Sequence, residues 1–329
     1  MTRPNDNLPR LPLSAWGAML LPAALLVNGT ARPIIEMMQE KSLANALSGG
    51  FGIPLIVWIG IACLCVALMR TRGTFTHENT FVSLGFLSLV MVPSSAFAWF
   101  GLAVWGTWAM VRRQSYAAGL IALALGLREL AAVRGVRVVG DWVLTVDAWA
   151  AALVMKAMVL MGLMDGAALQ VANTIIRDVE GGRFVLAVLA ECGTIRNVSL
   201  TVVGYVAVVA AVTLQRPPLA PLLGLLIVIP ILNLVRIAIM GVDVQTYHLV
   251  HGPVGAHLFE ALIAAATLVA IRIAISTWAT TGPHQRFTET QLGMSTRSSG
   301  SRVKGYSSKR ISAQRGVSDL LQRLGGVQS

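Results

Sequence analysis

Charge is scarce in this chain: 26 Lys and Arg and 15 Asp and Glu in 329 residues, or 12%. Soluble domains carry roughly 25%. With 55% hydrophobic residues and a mean hydropathy of +0.70, that shortage excludes a soluble globular enzyme and a disordered chain. The same composition argues against a nucleic-acid partner, although the net charge is +11 and the isoelectric point about 10.6. Cysteine is scarcer still. Cys63, Cys65 and Cys192 are the only three, too few for a disulfide framework.

Long apolar runs are what the chain has in plenty, so lipid is the solvent for most of it. A bilayer core of roughly 30 Å takes about 20 apolar residues as a helix. The candidate spans are Leu11–Val27, Phe51–Met69, Phe81–Val111, Tyr116–Val133, Trp142–Met164, Asn197–Leu214, Pro218–Met240 and His257–Trp278. The third is interrupted by Pro93-Ser94-Ser95 and reads as one tilted helix or as a hairpin of two short ones. The fourth holds Arg128 and Glu129, which are adjacent and so do not face each other. Each therefore needs a partner in the protein or at the interface. The expected fold class is an all-α polytopic membrane protein of about eight transmembrane helices, with a small extracytoplasmic β-hairpin.

Loop charges set the orientation. With Arg3 and Arg10 on the cytoplasmic side, eight spans return the C-terminus there. Arg70, Arg72, Arg134, Arg137 and Arg216 then fall inside, while the charge-balanced loop Gly29–Gly50 falls outside. Arg112 and Arg113 fall outside too, against the rule. The first apolar stretch, interrupted by Pro22 and lacking a clear small-residue cleavage site, reads as a retained helix rather than a signal peptide. A membrane domain over 1–278, with its core at 142–278, is thus expected ahead of a basic tail, 279–329. The tail has eight basic residues against two acidic ones and is rich in Ser, Gly, Gln and Thr. It is expected to be disordered and cytoplasmic, either marking that side or lying on anionic membrane lipid.

Cys63 and Cys65 lie mid-span at i and i+2, share no helix face, and read as small buried apolar residues. Cys192 differs. Ala168–Val179 is rich in β-branched residues, Glu180-Gly181-Gly182-Arg183 is a turn signal, and Phe184–Ala190 is apolar again. This pattern predicts a β-hairpin. It ends at Glu191-Cys192-Gly193-Thr194-Ile195-Arg196-Asn197, where the chain re-enters the membrane. A cysteine at a helix start meets the positive end of the dipole, which favours thiolate, and Arg196 one turn on adds to it. In the seventh run Asn233 and Arg236, three apart, share a helix face. An arginine inside such a run is by default a functional residue. The loop that follows, Tyr247 to Phe259, holds His248, His251 and His257, three of the chain's five histidines. Counting spans brings Cys192, Arg236 and this cluster to the outer side.

A thiolate, an imidazole and a guanidinium together suit acyl transfer. The thiolate attacks a carbonyl carbon, the imidazole takes and returns a proton, and the guanidinium holds an oxyanion or a carboxylate. A zinc site is the competing use. The histidines lack i, i+4 pairing and no cysteine pair accompanies them, so no metal and no other cofactor is expected.

Three motifs in order carry a family resemblance: a β-hairpin leading into Ala190-Glu191-Cys192-Gly193-Thr194-Ile195-Arg196, an Asn233-Leu-Val-Arg236 two helices later, and a His251-x-x-x-Gly255-x-x-x-Phe259 pattern. Over about Trp142 to Trp278 the chain resembles the exosortase/archaeosortase family of integral-membrane cysteine transpeptidases. The usual Cys-Ser-Gly is Cys-Gly-Thr here, and Glu191 directly precedes the cysteine, where the family more often has an acidic residue further back. The resemblance implies Cys192 as nucleophile, Arg236 as the essential arginine and His251 as acid/base. Asn233, Arg196 and Glu191 are read as supporting residues, and His248 and His257 as neighbouring histidines beside His251. It implies a multi-pass protein of the bacterial inner membrane with its site facing the periplasm. Its partners would be exported proteins tethered by a C-terminal sorting signal of the PEP-CTERM type. Three alternatives stand beside this reading: a non-enzymatic transporter or assembly scaffold using Arg236 as a binding charge, a hydrolase that cleaves the signal without transpeptidation, and a lipid-binding or envelope-sensing module using the basic tail.

Overall fold

The computed structural model describes residues 13–48, 50–71, 92, 94–112, 115–131, 140–166, 168–179, 182–189 and 193–281. The chain divides into two units, Met1–Ala279 and Thr280–Ser329. The expected disorder of the tail falls on residues 282–329, outside the described ones, as does 81–91 of the third apolar run.

The helices in order are α1 (Leu13–Glu40), α2 (Leu43–Ser48), α3 (Leu55–Thr71), α4 (Ser95–Val111), α5 (Tyr116–Leu130) and α6 (Gly140–Leu160). A sheet follows, β1 (Ala168–Val171), β2 (Thr174–Val179) and β3 (Gly182–Ala187), then α7 (Thr194–Thr213), α8 (Leu219–Met240), α9 (Val244–His251) and α10 (Pro253–Thr281). Among the described residues four helices are long and apolar enough to cross a membrane: Asp141–Leu160, Thr194–Thr213, Leu219–Met240 and Val254–Thr280. The expectation of eight spans is thereby corrected. The second and third runs give apolar helices of only 17 residues each, and the fourth stops at Leu130 after 15. The first run is part of a 28-residue helix that contains Pro22 and Pro33 and continues to Glu40. The expected outer loop Gly29–Gly50 is thus mostly α1 and α2. Apolar composition fixes the solvent of a segment but not where its helix begins and ends.

α8 displays the inverted pattern that a lipid solvent imposes. Leu219, Leu223, Ile227, Ile231 and Val235, spaced by four, are exposed, whereas Leu225, Ile229, Asn233 and Ile237, also spaced by four, are buried. The polar residue therefore lies on the protein-facing stripe. α4 starts at Ser95, after Ser94 in an extended conformation (φ −139°, ψ 119°), as expected next to a proline break. α4 and α5 form a hairpin packed through small residues. Gly106 and Gly119 meet so closely that a Cβ on Gly106 would lie 2.5 Å from the Gly119 carbonyl oxygen.

Within that hairpin Arg128 and Glu129 correct another expectation: the two form an ion pair with each other, at 8% and 15% exposure. Their long side chains curl back over the helix surface, and in a low dielectric the nearest opposite charge wins. Cys65 is exposed and Cys63 only partly buried, so the reading of both as buried is corrected as well. Two side chains about 200° apart on a helix cannot both face one core.

Arg70 Nη1 donates to the Ala211 carbonyl at 3.1 Å, and the Arg216 guanidinium lies 5.0 Å from the Tyr116 ring centroid. Arg112, the C-cap of α4, sits four residues before Tyr116. These arginines collect at the end of α7 remote from Thr194, which removes the misplacement of Arg112 produced by eight-span parity.

The expected two-stranded hairpin is a three-stranded antiparallel meander, β1-β2-β3. The run read as one strand, Ala168–Val179, folds back at Ala172-Asn173, where Ala172 takes a left-handed φ of 52° and Val171 pairs with Thr174. The second hairpin lies where the turn signal placed it, with Val179 opposite Gly182. Ile175 and Leu186 of the sheet and Val188 just after it pack against Met155 of α6, Ile237 and Met240 of α8, Val250 of α9 and Phe259 of α10.

Candidate functional site

Cys192 and Glu191 lie outside the described residues; the chain resumes at Gly193, the buried N-cap residue of α7. Glycine offers no side chain to the first amides of the helix, so other elements supply the partners. The Thr194 N–H donates to Asp147 Oδ2 on α6 at 2.8 Å. The Thr194 hydroxyl accepts from Asn233 Nδ2 at 3.0 Å, and Asn233 Oδ1 accepts from Asn197 Nδ2 at 2.9 Å. Asn233 is 1% exposed and Asp147 9%. Three helices thus meet in a buried polar knot two residues after Cys192, and a carboxylate stands at the positive end of α7.

Arg236 lies one turn along α8 from Asn233. Its guanidinium carbon sits 5.6 Å from the Phe259 ring centroid, a cation–π platform. Its buried Nε has no hydrogen-bond partner among the described residues. An unsatisfied buried donor is costly.

The expected histidine loop is a helix, which is a further correction. Asp243 caps α9 by accepting from the Thr246 N–H at 2.7 Å and from its hydroxyl at 2.9 Å. His248 and His251 fall in the last turn. The three histidines part company here. His257 is exposed on α10, 3.5 Å from Glu260. His248 is exposed and meets Tyr247 edge-on at 5.5 Å. His251 is exposed as well, but it stacks on Tyr247 at 5.0 Å and 15° and lines a crevice with Tyr247, Ile237, Met240 and the 186–189 segment that leads to Cys192. Arg196, in the first turn of α7, is exposed.

The spacing of the His-Gly-Phe motif has a physical reading. A Cβ on Gly255 would lie 2.4 Å from the Val250 Cα and 2.5 Å from the Leu249 carbonyl oxygen, so only glycine lets α10 start this close to α9. Four residues on, Phe259 then reaches Arg236. Gly255→Val is expected to pry the two helices apart and cost about 1–3 kcal/mol, read as a lowered unfolding midpoint in detergent.

The Thr246 hydrogen bonds hold the Asp243 carboxyl below the usual aspartate range. A lowered folded-state value means that the cap stabilises α9 fully above pH about 4, and that this is lost as the pH falls through the lowered value. Amide protection over 244–251 should therefore drop in that acid window, and in Asp243→Ala it should be low at neutral pH already.

Sequence reasoning missed Asp147, Tyr247 and the Thr194 link. The Asp147 signal was present: it is the one carboxylate in the run Trp142–Met164, and an intramembrane acid marks a site by default. Tyr247 carries no such signal, since an aromatic near an interface is ordinary. No family model, curated protein or solved structure matches this chain.

Proposed function

We propose that the chain is a membrane-embedded cysteine peptidase and transpeptidase, similar to the exosortases, that releases exported proteins from a C-terminal sorting signal. The observation that carries this reading is the Asn233–Thr194 hydrogen bond of 3.0 Å. It ties the residue two beyond Cys192 to the helix turn that presents Arg236. The crevice that His251 shares with residues 186–189, shortly before Cys192 in the chain, supports His251 as the third group.

In the proposed reaction His251 takes the Cys192 proton and the thiolate attacks the scissile carbonyl carbon. Arg236 holds the oxyanion. The tetrahedral species collapses to a thioester, the C–N bond breaks, and the leaving amine takes the proton from His251, freeing the signal helix. An amine acceptor then attacks the thioester, the C–S bond breaks, and a proton from the amine restores the thiol. A substrate tethered by its own signal helix presents the bond at a fixed depth, which supplies much of the proximity advantage. In this reading the sheet end of the bundle faces the periplasm of a bacterial inner membrane, and the end gathering Arg70, Arg112 and Arg216 is cytoplasmic.

The test is co-expression with an exported protein from the same genome that ends in a short motif, one hydrophobic helix and basic residues. The wild-type chain should shift that protein on a gel, and Cys192→Ala should leave it unprocessed. Processing by Cys192→Ala at the wild-type level removes the reading. The mass of the product separates amine transfer from hydrolysis.

A further inference from the structure

We infer that Arg177 is a positioning residue for this site, a guanidinium clamp that fixes the α8–α9 corner to the sheet. Its consequence for turnover rests on the peptidase reading; its consequence for the Cys192 thiol does not. Arg177 lies on the central strand β2, between Ala168 of β1 and Phe184 of β3, and is 5% exposed. Nε donates to the Asp165 carbonyl at 2.9 Å, and Nη2 binds the same oxygen. Nη1 donates to the Gly241 carbonyl at 2.9 Å and also to that of Val242. All four bonds go to backbone oxygens. Of the nearby carboxylates, Asp178 faces Arg183 at 3.3 Å, and Asp243 caps α9 while its charge also interacts with that of Arg177.

Burying a cation is justified energetically only when the geometry satisfies its donors. Gly241 is the C-cap of α8, where the helix dipole is negative and favours a positive charge. Only a guanidinium has the planar, multi-donor fork to bridge carbonyls from the α6–β1 connection and the α8–α9 corner at once. Arg236 lies five residues before Gly241, and α9 with His251 begins two residues after Val242. On the other side, β3 pairs with β2 and its chain leads to Cys192. One side chain therefore ties the sheet to the corner between the helices that carry Arg236 and His251. A second path runs parallel: the Phe184 ring, opposite Arg177 in register, meets the Tyr247 ring at 6.4 Å, and Tyr247 stacks on His251.

The experiment uses the full chain in nanodiscs with Cys63→Ser and Cys65→Ser, so that iodoacetamide reports on Cys192 alone. Arg177→Met and Arg177→Lys are compared with the parent for unfolding midpoint, alkylation rate at neutral pH, and kcat and KM of processing. Arg177→Met should unfold cooperatively, alkylate about tenfold more slowly and lose about 10- to 100-fold in kcat with KM little changed, the effect of a small misplacement. Arg177→Lys, which keeps the charge but not the fork, should fall between. Parent-like alkylation in either folded variant overturns the clamp, and so does a loss that only tracks the folded fraction. If Arg177→Met does not fold, Arg177→Lys decides alone. Cys192→Ala that still processes substrate would instead sink the peptidase reading and leave the alkylation arm to judge the clamp.

Discussion

Replacing Arg236 by Lys is expected to lower processing about 100- to 1,000-fold, the range for losing an oxyanion donor, in a chain that still inserts and folds. The lysine keeps the positive charge and the packing against Phe259, but it loses the Nε donor that is buried without a partner among the described residues. An ammonium also cannot present two parallel donors to one carbonyl. The loss should appear in kcat rather than KM, because the oxyanion forms only in the transition state. Arg236→Ala should fall at least as far, and added guanidinium should restore part of its rate. A fall that appears in KM alone would assign Arg236 to substrate binding.

Asn233→Leu carries the second large effect. Leucine fills the same buried stripe of α8, yet it removes both hydrogen bonds that tie α8 to the start of α7, to Asn197 at 2.9 Å and to Thr194 at 3.0 Å. Hydrogen bonds between membrane helices average about 0.6 kcal/mol, while a stranded buried group costs about 1–3 kcal/mol. The loss of stability should therefore be modest, on the order of 1–3 kcal/mol. The loss of processing should be far larger, because the start of α7, two residues beyond Cys192, loses its tie to the turn that carries Arg236. Equal proportional losses in folded protein and in processing would reduce Asn233 to a structural role.

The second half of the chain was legible because its apolar runs are close to its helices in length, except that the last helix, of 29 residues, outruns its apolar run at both ends. Trp142–Met164, Asn197–Leu214, Pro218–Met240 and His257–Trp278 correspond to Gly140–Leu160, Thr194–Thr213, Leu219–Met240 and Pro253–Thr281. Upstream the two lengths part: α1 extends past its apolar run through polar residues to Glu40. The sheet was half legible. Glu180-Gly181-Gly182 announces a turn, but nothing in an alanine announces the left-handed Ala172. α9 was readable after the fact, since Asp243 with Thr246 is an ordinary N-cap pair and Gly252-Pro253 a break. Within the site, Asn233 and Arg236 stood out as polar residues in lipid, and Asp147 met the same criterion. The pairing of Thr194 with Asn233 did not, because it joins residues 39 apart in sequence.

The most direct measurement is the chemical state of Cys192 during turnover. The wild-type chain, incubated with a signal-bearing substrate and quenched in acid, should yield a Cys192 peptide bearing the substrate's acyl end, and neutral hydroxylamine should release it. Substrate cleaved while Cys192 stays unmodified at every time point, with Cys192→Ala equally active, would contradict a thioester enzyme.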